Sequence, residues 1–207
     1  QTLSRYPLSD TSIPARYARS VAYFKDGLID EAEAEIAHLL EAEPENPFFH
    51  ELLAQVRFES GLIAESIEPS ERAVELMPDA PLLQIYLARS LIAEGGEDNL
   101  NAAVLHLNRA LIFERENSFG WFQKSLAHQA LGQNAMAELA TAERFYSIGD
   151  ERQAHLFARR AHDELERGTE AWIRSAEILA VTQPTNREMR EWNRVERERR
   201  PNFMTQG

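Results

Sequence analysis

The feature that most constrains this chain is a spacing. Gly27 and Gly61 lie 34 residues apart, and so do Pro44 and Pro78. A residue that tolerates positive φ and a residue that stops a helix therefore recur at one interval. Each glycine sits between two amphipathic segments, so the unit reads as helix, tight turn, helix, stop. The first unit covers residues 13–46, with Tyr23 four residues before its glycine and Ala32 five after it. The second covers residues 47–80 and places Leu53, Ala54, Ser66 and Ala73 in the matching positions. Pro69 falls inside its second helix, which predicts a kink near Glu65 or a helix that starts late. The third starts at Pro81 and carries Leu87, Ala88, Gly95, Ala103 and Ala110. Gly95 and Gly132 are 37 residues apart, and the three extra residues are expected in the turn 95–99. A fourth starts near Ser118, with Trp121, Gly132 and Ala137.

A helical pair repeating every 34 residues is the signature of the tetratricopeptide repeat (TPR). The expected fold is therefore all-α: a right-handed TPR superhelix, or α-solenoid, of about four to five helix pairs with a C-terminal capping helix. Gly132 and Gly149 are only 17 residues apart, half a repeat. The simplest account is a shared helix, 135–147, that closes one pair and opens the next. Residues 150–165 then complete the fifth pair, packing through Ala154, Ala158 and Ala161. A last amphipathic helix over 169–182, with Trp172, Ile173, Ile178 and Leu179, caps the stack. Residues 1–12 precede the repeats, 13–182 read as the solenoid, and 183–207 as a polar helix or tail. Only Met189, Trp192 and Val195 are apolar in the helical part of that tail, so Trp192 is its expected anchor.

Composition narrows the function. Hydrophobic residues make up 43% and charged residues 27% of the chain, the balance of a globular domain with a real core. No apolar run reaches the ~18–20 residues that a membrane-spanning helix needs, so membrane insertion is not expected. Without cysteine, disulfides and thiolate chemistry are excluded. The net charge is −12, and residues 26–71 hold thirteen carboxylates against one base, Arg57. Such a surface repels phosphate backbones, so nucleic acid is not an expected partner. Most of this charge, including Glu31, Glu35, Glu41 and Glu45, is expected on the outer face and turns, where it solubilises. Docking of a basic partner is the sharper reading of the same charges.

The opening Tyr6-Pro7-Leu8-Ser9-Asp10-Thr11-Ser12-Ile13-Pro14 resembles the segment that leaves the catalytic domain of BepA-type bacterial zinc metallopeptidases. Members usually carry His-Pro-Leu-Ser and then an Arg before the Ile; here Tyr6 and Ser12 stand in those places. The stretches Asn46-Pro47-Phe48-Phe49-His50-Glu51-Leu52 and Ala73-Val74-Glu75-Leu76-Met77-Pro78-Asp79-Ala80-Pro81-Leu82-Leu83 resemble the same family. The resemblance implies an HExxH protease domain upstream of this chain, residues 1–12 as the linker from it, zinc in that domain and no cofactor in this one. It also implies a periplasmic location, a role in envelope protein quality control, and outer-membrane proteins or their assembly machinery as partners. The competing reading is a free-standing TPR adaptor with no peptidase link.

In TPR solenoids the first helix of each pair faces the ligand. Of the inward-facing positions, which also include Phe24, Phe58 and Phe119, the set Tyr17, Glu51, Gln55, Tyr86, Arg89, Phe122 and Gln123 is the expected groove for a protein or peptide. The aliphatic neighbours Val21, Ile85, Ile92 and Leu126 read equally well as packing. Arg89 is the only base of the set, so the multi-cation clamp that grips a C-terminal carboxylate is missing. No complete catalytic motif is present. His50-Glu51-Leu52-Leu53-Ala54 approaches HExxH, but Ala54 occupies the place of the second zinc ligand. His155 and His162 lie about 10 Å apart along a helix, too far to share a metal. The purified chain should therefore carry no stoichiometric zinc and should leave casein intact. Tightly held zinc in elemental analysis would contradict this reading.

Overall fold

The computed structural model describes residues 2–185 together with residues 187, 190, 192 and 194. Every regular element among the described residues is an α-helix. These are α1 (Thr2–Arg5), α2 (Ile13–Lys25), α3 (Ile29–Ala42), α4 (Pro47–Glu59), α5 (Ile63–Leu76), α6 (Pro81–Glu94), α7 (Glu97–Phe113), α8 (Ser118–Ala130), α9 (Asn134–Ser147), α10 (Glu151–Glu164) and α11 (Glu170–Val181). They fall into two compact units, residues 1–115 and 116–207.

In the first unit α2 packs on α3, α4 on α5 and α6 on α7. The turn inside the first two pairs is the same. Leu28 N–H reaches back to Tyr23 O at 2.9 Å and Gly27 N–H to Phe24 O at 3.0 Å. Leu62 and Gly61 repeat this on Arg57 and Phe58. The glycines sit at φ +76° and +83°, the left-handed cap that closes a helix by satisfying its last carbonyls. The helix starts are built by a different device. Asn46 accepts from Phe48 N–H and Asn117 from Gly120 N–H, and Pro47 and Pro81 open helices where a missing N–H costs nothing.

Two expectations about irregularities change. The three extra residues of the third repeat do not enlarge its turn, which is only Gly95-Gly96. They lengthen α7, which has 17 residues where α3 and α5 have 14. Helix α5 does not start late; it begins at Ile63 and runs through a buried Pro69. Proline removes the bond that Glu65 O would have accepted. That carbonyl is satisfied from outside its helix, by Arg57 Nη1 of α4 at 3.2 Å. The same guanidinium grips Glu33 of α3 with Nε at 3.0 Å and Nη2 at 3.2 Å.

Ala32, Ser66 and Ala103 are fully buried where paired helices approach. Ala137 is only half-buried, against expectation. The cause is the shared helix. α9 packs on both α8 and α10 and commits Leu139 and Ala142 to a core with Ala154, Ala158 and Ala161. α11 covers that core with a fully buried Ile178 and clamps Glu143 of α9 through Arg174 at 2.5 and 2.8 Å. In the tail, Arg187, Arg190, Trp192 and Arg194 are helical. Arg152 Nη2 donates to Trp192 O at 3.1 Å, and the indole lies 6.0 Å from the His155 ring. The expected anchor thus reaches α10. Met189 and Val195 lie outside the described residues.

Glu35 departs from the solubilising role given to the acidic stretch. It is 8% exposed and paired in a bidentate contact with Arg19, itself 1% exposed. Arg19 Nε and Nη2 lie 2.6 and 3.0 Å from its two oxygens, and Arg16 adds a contact at 3.2 Å. Arg19 Nη1 also donates to Pro7 O and Asp10 O at 3.0 and 2.8 Å, fastening the leading segment to the first pair. Burial alone would raise the Glu35 carboxyl, but its two arginines hold it below the usual range. The stability it adds is present at neutral pH and is lost as pH falls through the carboxylate range. Arg19→Met would leave that buried charge with only the more exposed Arg16 as partner, with an expected loss of up to about 3 kcal/mol in denaturant unfolding at pH 7 that narrows in acid.

Candidate peptide-binding cleft

Helices α4 and α6 are the first members of neighbouring pairs, so their exposed flanks line one cleft. Glu51 and Gln55 come from α4, one turn apart; Tyr86 and Arg89 come from α6 at the matching spacing. Small side chains make the floor: Ala54, Ser70, Ala73 and Ser90. The Ser90 and Ser66 hydroxyls hydrogen-bond at 3.0 Å, and Ser70 Oγ donates to Ser66 O at 2.8 Å. The polar groups of the floor are thereby partly spent on one another. The cleft is narrow, barely wide enough for water, so a ligand would lie along its rim and not insert a large side chain.

The rim is chemically unfinished. Arg89 is half-buried, its guanidinium 3.9 Å from the Phe58 ring centroid and 5.1 Å from that of Tyr86. Aromatic faces hold the cation but accept few of its five donors. Its Nε is buried and meets no acceptor, and among the described residues Arg89 makes no ion pair. Burial pushes its pKa down, while the charges of Glu59, Tyr86 and Glu51 pull it back up. An arginine remains charged in either case. Glu51 is the counterpart. Burial raises its carboxyl above the usual range, Arg89 opposes the rise and Glu59 adds to it. Gln55 Nε2 donates to Glu59 Oε1 at 3.1 Å, a bond that leaves its carbonyl oxygen unused.

Four of the seven expected groove residues, Glu51, Gln55, Tyr86 and Arg89, are therefore brought together. The other three are not among the residues that line it. Tyr17 on α2 is outside this cleft, 41% exposed, and tilts against Phe49 at 6.4 Å. Phe122 and Gln123 belong to the second unit. Gln123 is buried in it, and Phe122 lies under the Arg144 guanidinium at 4.7 Å. Ile85 is wholly core. Phe58 counts among the inward-facing positions of the sequence, but its stacking under Arg89, and the serines Ser70 and Ser90 of the floor, escaped the sequence reading. The available signal was three serines, Ser66, Ser70 and Ser90, in helices otherwise packed with aliphatics.

The metal-like string dissolves into two unrelated roles. His50 Nε2 bonds Pro44 O at 2.8 Å and braces a loop, while Glu51 lines the cleft. His155 bonds Thr182 Oγ1 at 3.3 Å, and His162 stacks on Trp172 at 4.6 Å. Among the described residues no group of three or more His, Asp or Glu side chains is placed to hold a metal ion. None of the described helices is long and apolar enough to cross a membrane.

Comparison with solved structures decides the architecture. A crystal structure of MamA protein superposes with a TM-score of 0.62 at 16% identity, covering 83% of this chain and 93% of that one. A thermophilic TPR protein from Thermus thermophilus gives 0.54 at 19% identity, covering 82% of this chain and 100% of its own. The fold is of the TPR type. These TPR neighbours share the architecture at identities that carry no more than that. No protein-family model matches the chain. Among curated proteins, the Beta-barrel assembly-enhancing protease of Escherichia coli (strain K12) is 29% identical over 134 residues. That of Shigella flexneri matches equally. The match takes in 65% of this chain and spans about a quarter, 26%, of the relatives' length.

The raised Glu51 carboxyl has a measurable sign. Its ionisation opposes folding, so the penalty is absent in acid and appears as pH rises through its folded pKa. Glu51→Gln should melt higher than wild type at neutral pH, and the two melting curves should converge below the carboxylate range.

Proposed function

We propose that this chain is a non-catalytic protein-interaction region that holds extended polypeptide in the α4–α6 cleft. The observation that carries this is Arg89: a charged, half-buried side chain locked between two rings with hydrogen-bonding capacity left over. Glu51, Gln55 and Tyr86 add further acceptors and donors on the same rim. A peptide main chain offers both N–H and C=O groups to such a rim, and needs no deep pocket. The local charge is mixed, which suits main-chain recognition better than capture of a carboxylate end.

The likeness to the Beta-barrel assembly-enhancing proteases supports a narrower version. In it, this region belongs to a periplasmic zinc metallopeptidase of envelope protein quality control, and its ligands are unassembled outer-membrane proteins or their assembly machinery. Transmembrane β-strands are extended and alternate apolar with polar residues, the kind of segment that such a rim would track. An HExxH-encoding frame directly upstream would support this version, and its absence would leave the free-standing adaptor.

Peptides tiled from an outer-membrane β-barrel sequence, titrated against the full chain by calorimetry, test the reading. Arg89→Gln should weaken binding about tenfold or more, the worth of one charge-assisted hydrogen bond. Tyr86→Ala should weaken it too, and Tyr17→Ala should not. Equal affinity for wild type and the Arg89 variant would sink the cleft as the site.

A further inference from the structure

Away from the cleft, the loop between α3 and α4 carries an apolar ledge. Pro44, Pro47, Phe48 and Met77 form a broad open surface edged by Glu43 and Glu45. Phe48 is 54% exposed and Met77 37%. The ledge is firmly built. Asn46 accepts from Phe48 N–H at 3.1 Å and donates to Glu43 at 2.7 Å, and His50 braces Pro44. Glu43 caps the end of α3 and Met77 that of α5, so two helix C-termini add partial negative charge here.

Among the described residues Glu43 and Glu45 make no ion pair, and the nearby Arg72 and Arg109 are engaged by Glu75 and Asp79. The one base within residues 26–71 is Arg57, and it is engaged by Glu33 and the Glu65 carbonyl. The ledge therefore suits a segment that sets guanidinium groups beside an aromatic or thioether side chain. The chain itself encodes one. Residues 197–204 hold Arg197, Arg199 and Arg200 against Glu198, followed shortly by Phe203 and Met204.

We propose that residues 197–204 of a second copy of the chain dock on this ledge, with Arg199 and Arg200 against Glu43 and Glu45 and Phe203 against Phe48 and Met77. Reciprocal exchange complements both ledges at once and closes a two-fold dimer. The net charge of −12 on each copy opposes the approach. At physiological ionic strength that field is screened beyond ~8 Å, whereas pairs in contact keep most of their attraction.

Sedimentation of the full chain over a concentration series at physiological salt tests this. Wild type should show a monomer–dimer equilibrium. Glu45→Lys on the ledge, or Arg200→Glu on the tail, should each raise the dimer dissociation constant about tenfold. Both changes together should restore it, because that pair is again of opposite sign. Phe48→Ser should weaken the dimer without altering charge. Glu45 and Phe48 are exposed, and unchanged melting of each variant checks that the fold is intact. A monomer at every concentration overturns the proposal. So does a dimer indifferent to both charge reversals, or one that the combined variant does not recover.

Discussion

Two paired helices come closest where one of them presents almost no side chain. In this chain Ala32, Ser66 and Ala103 are those places, each fully buried at the contact within its pair. Much else follows from that approach. A pair held close needs a turn that reverses the chain in few residues, which the positive-φ glycine supplies. With the pairs set, α4 and α6 become neighbours, and their flanks make the rim on which Glu51, Gln55, Tyr86 and Arg89 meet. The cleft is a by-product of packing before it is anything chemical.

The fold was legible because its determinants are local and periodic. Glycine spacing, prolines at helix starts and small residues at fixed offsets are all written within a single repeat. What was illegible depends on partners distant in sequence. Glu35 reads as one surface carboxylate among many until Arg19 is set against it across the pair, 16 residues away. The extra residues of the third repeat read as a turn because Gly95-Gly96 looks like a loop. Yet Glu97, Asp98 and Asn99 extend a helix as readily, with acidic residues favoured in its first turn. Ala137 follows the repeat rule, but α9 serves two partners and cannot offer the same face to both. Of the candidate site, the rim residues could be read from helix faces. Phe58 as the platform for Arg89 could not, because stacking geometry has no sequence period.

The chemistry of Arg89 differs in kind from that of Arg19, Arg57 and Arg174. Arg19 and Arg57 each satisfy a carboxylate and a carbonyl at once, and Arg174 grips two carboxylates. Arg89 breaks that habit, being held by aromatic faces that stabilise its charge without consuming its donors. In a chain with 22 bases against 34 acids, a cation kept half-dry and incompletely bonded is a clear departure from purely structural use.

Arg57 and Pro69 form an interdependent pair. The proline opens a hole in the bonding of α5, and an arginine from the helix before it fills that hole while reaching back to α3. Neither residue can be judged alone. Without Arg57 the proline leaves that carbonyl to solvent, and without the proline the carbonyl is taken up by its own helix and the arginine loses one of its anchors. Their effects on stability are therefore non-additive, so the tolerance of α5 for a proline is set in part by a side chain of the helix before it.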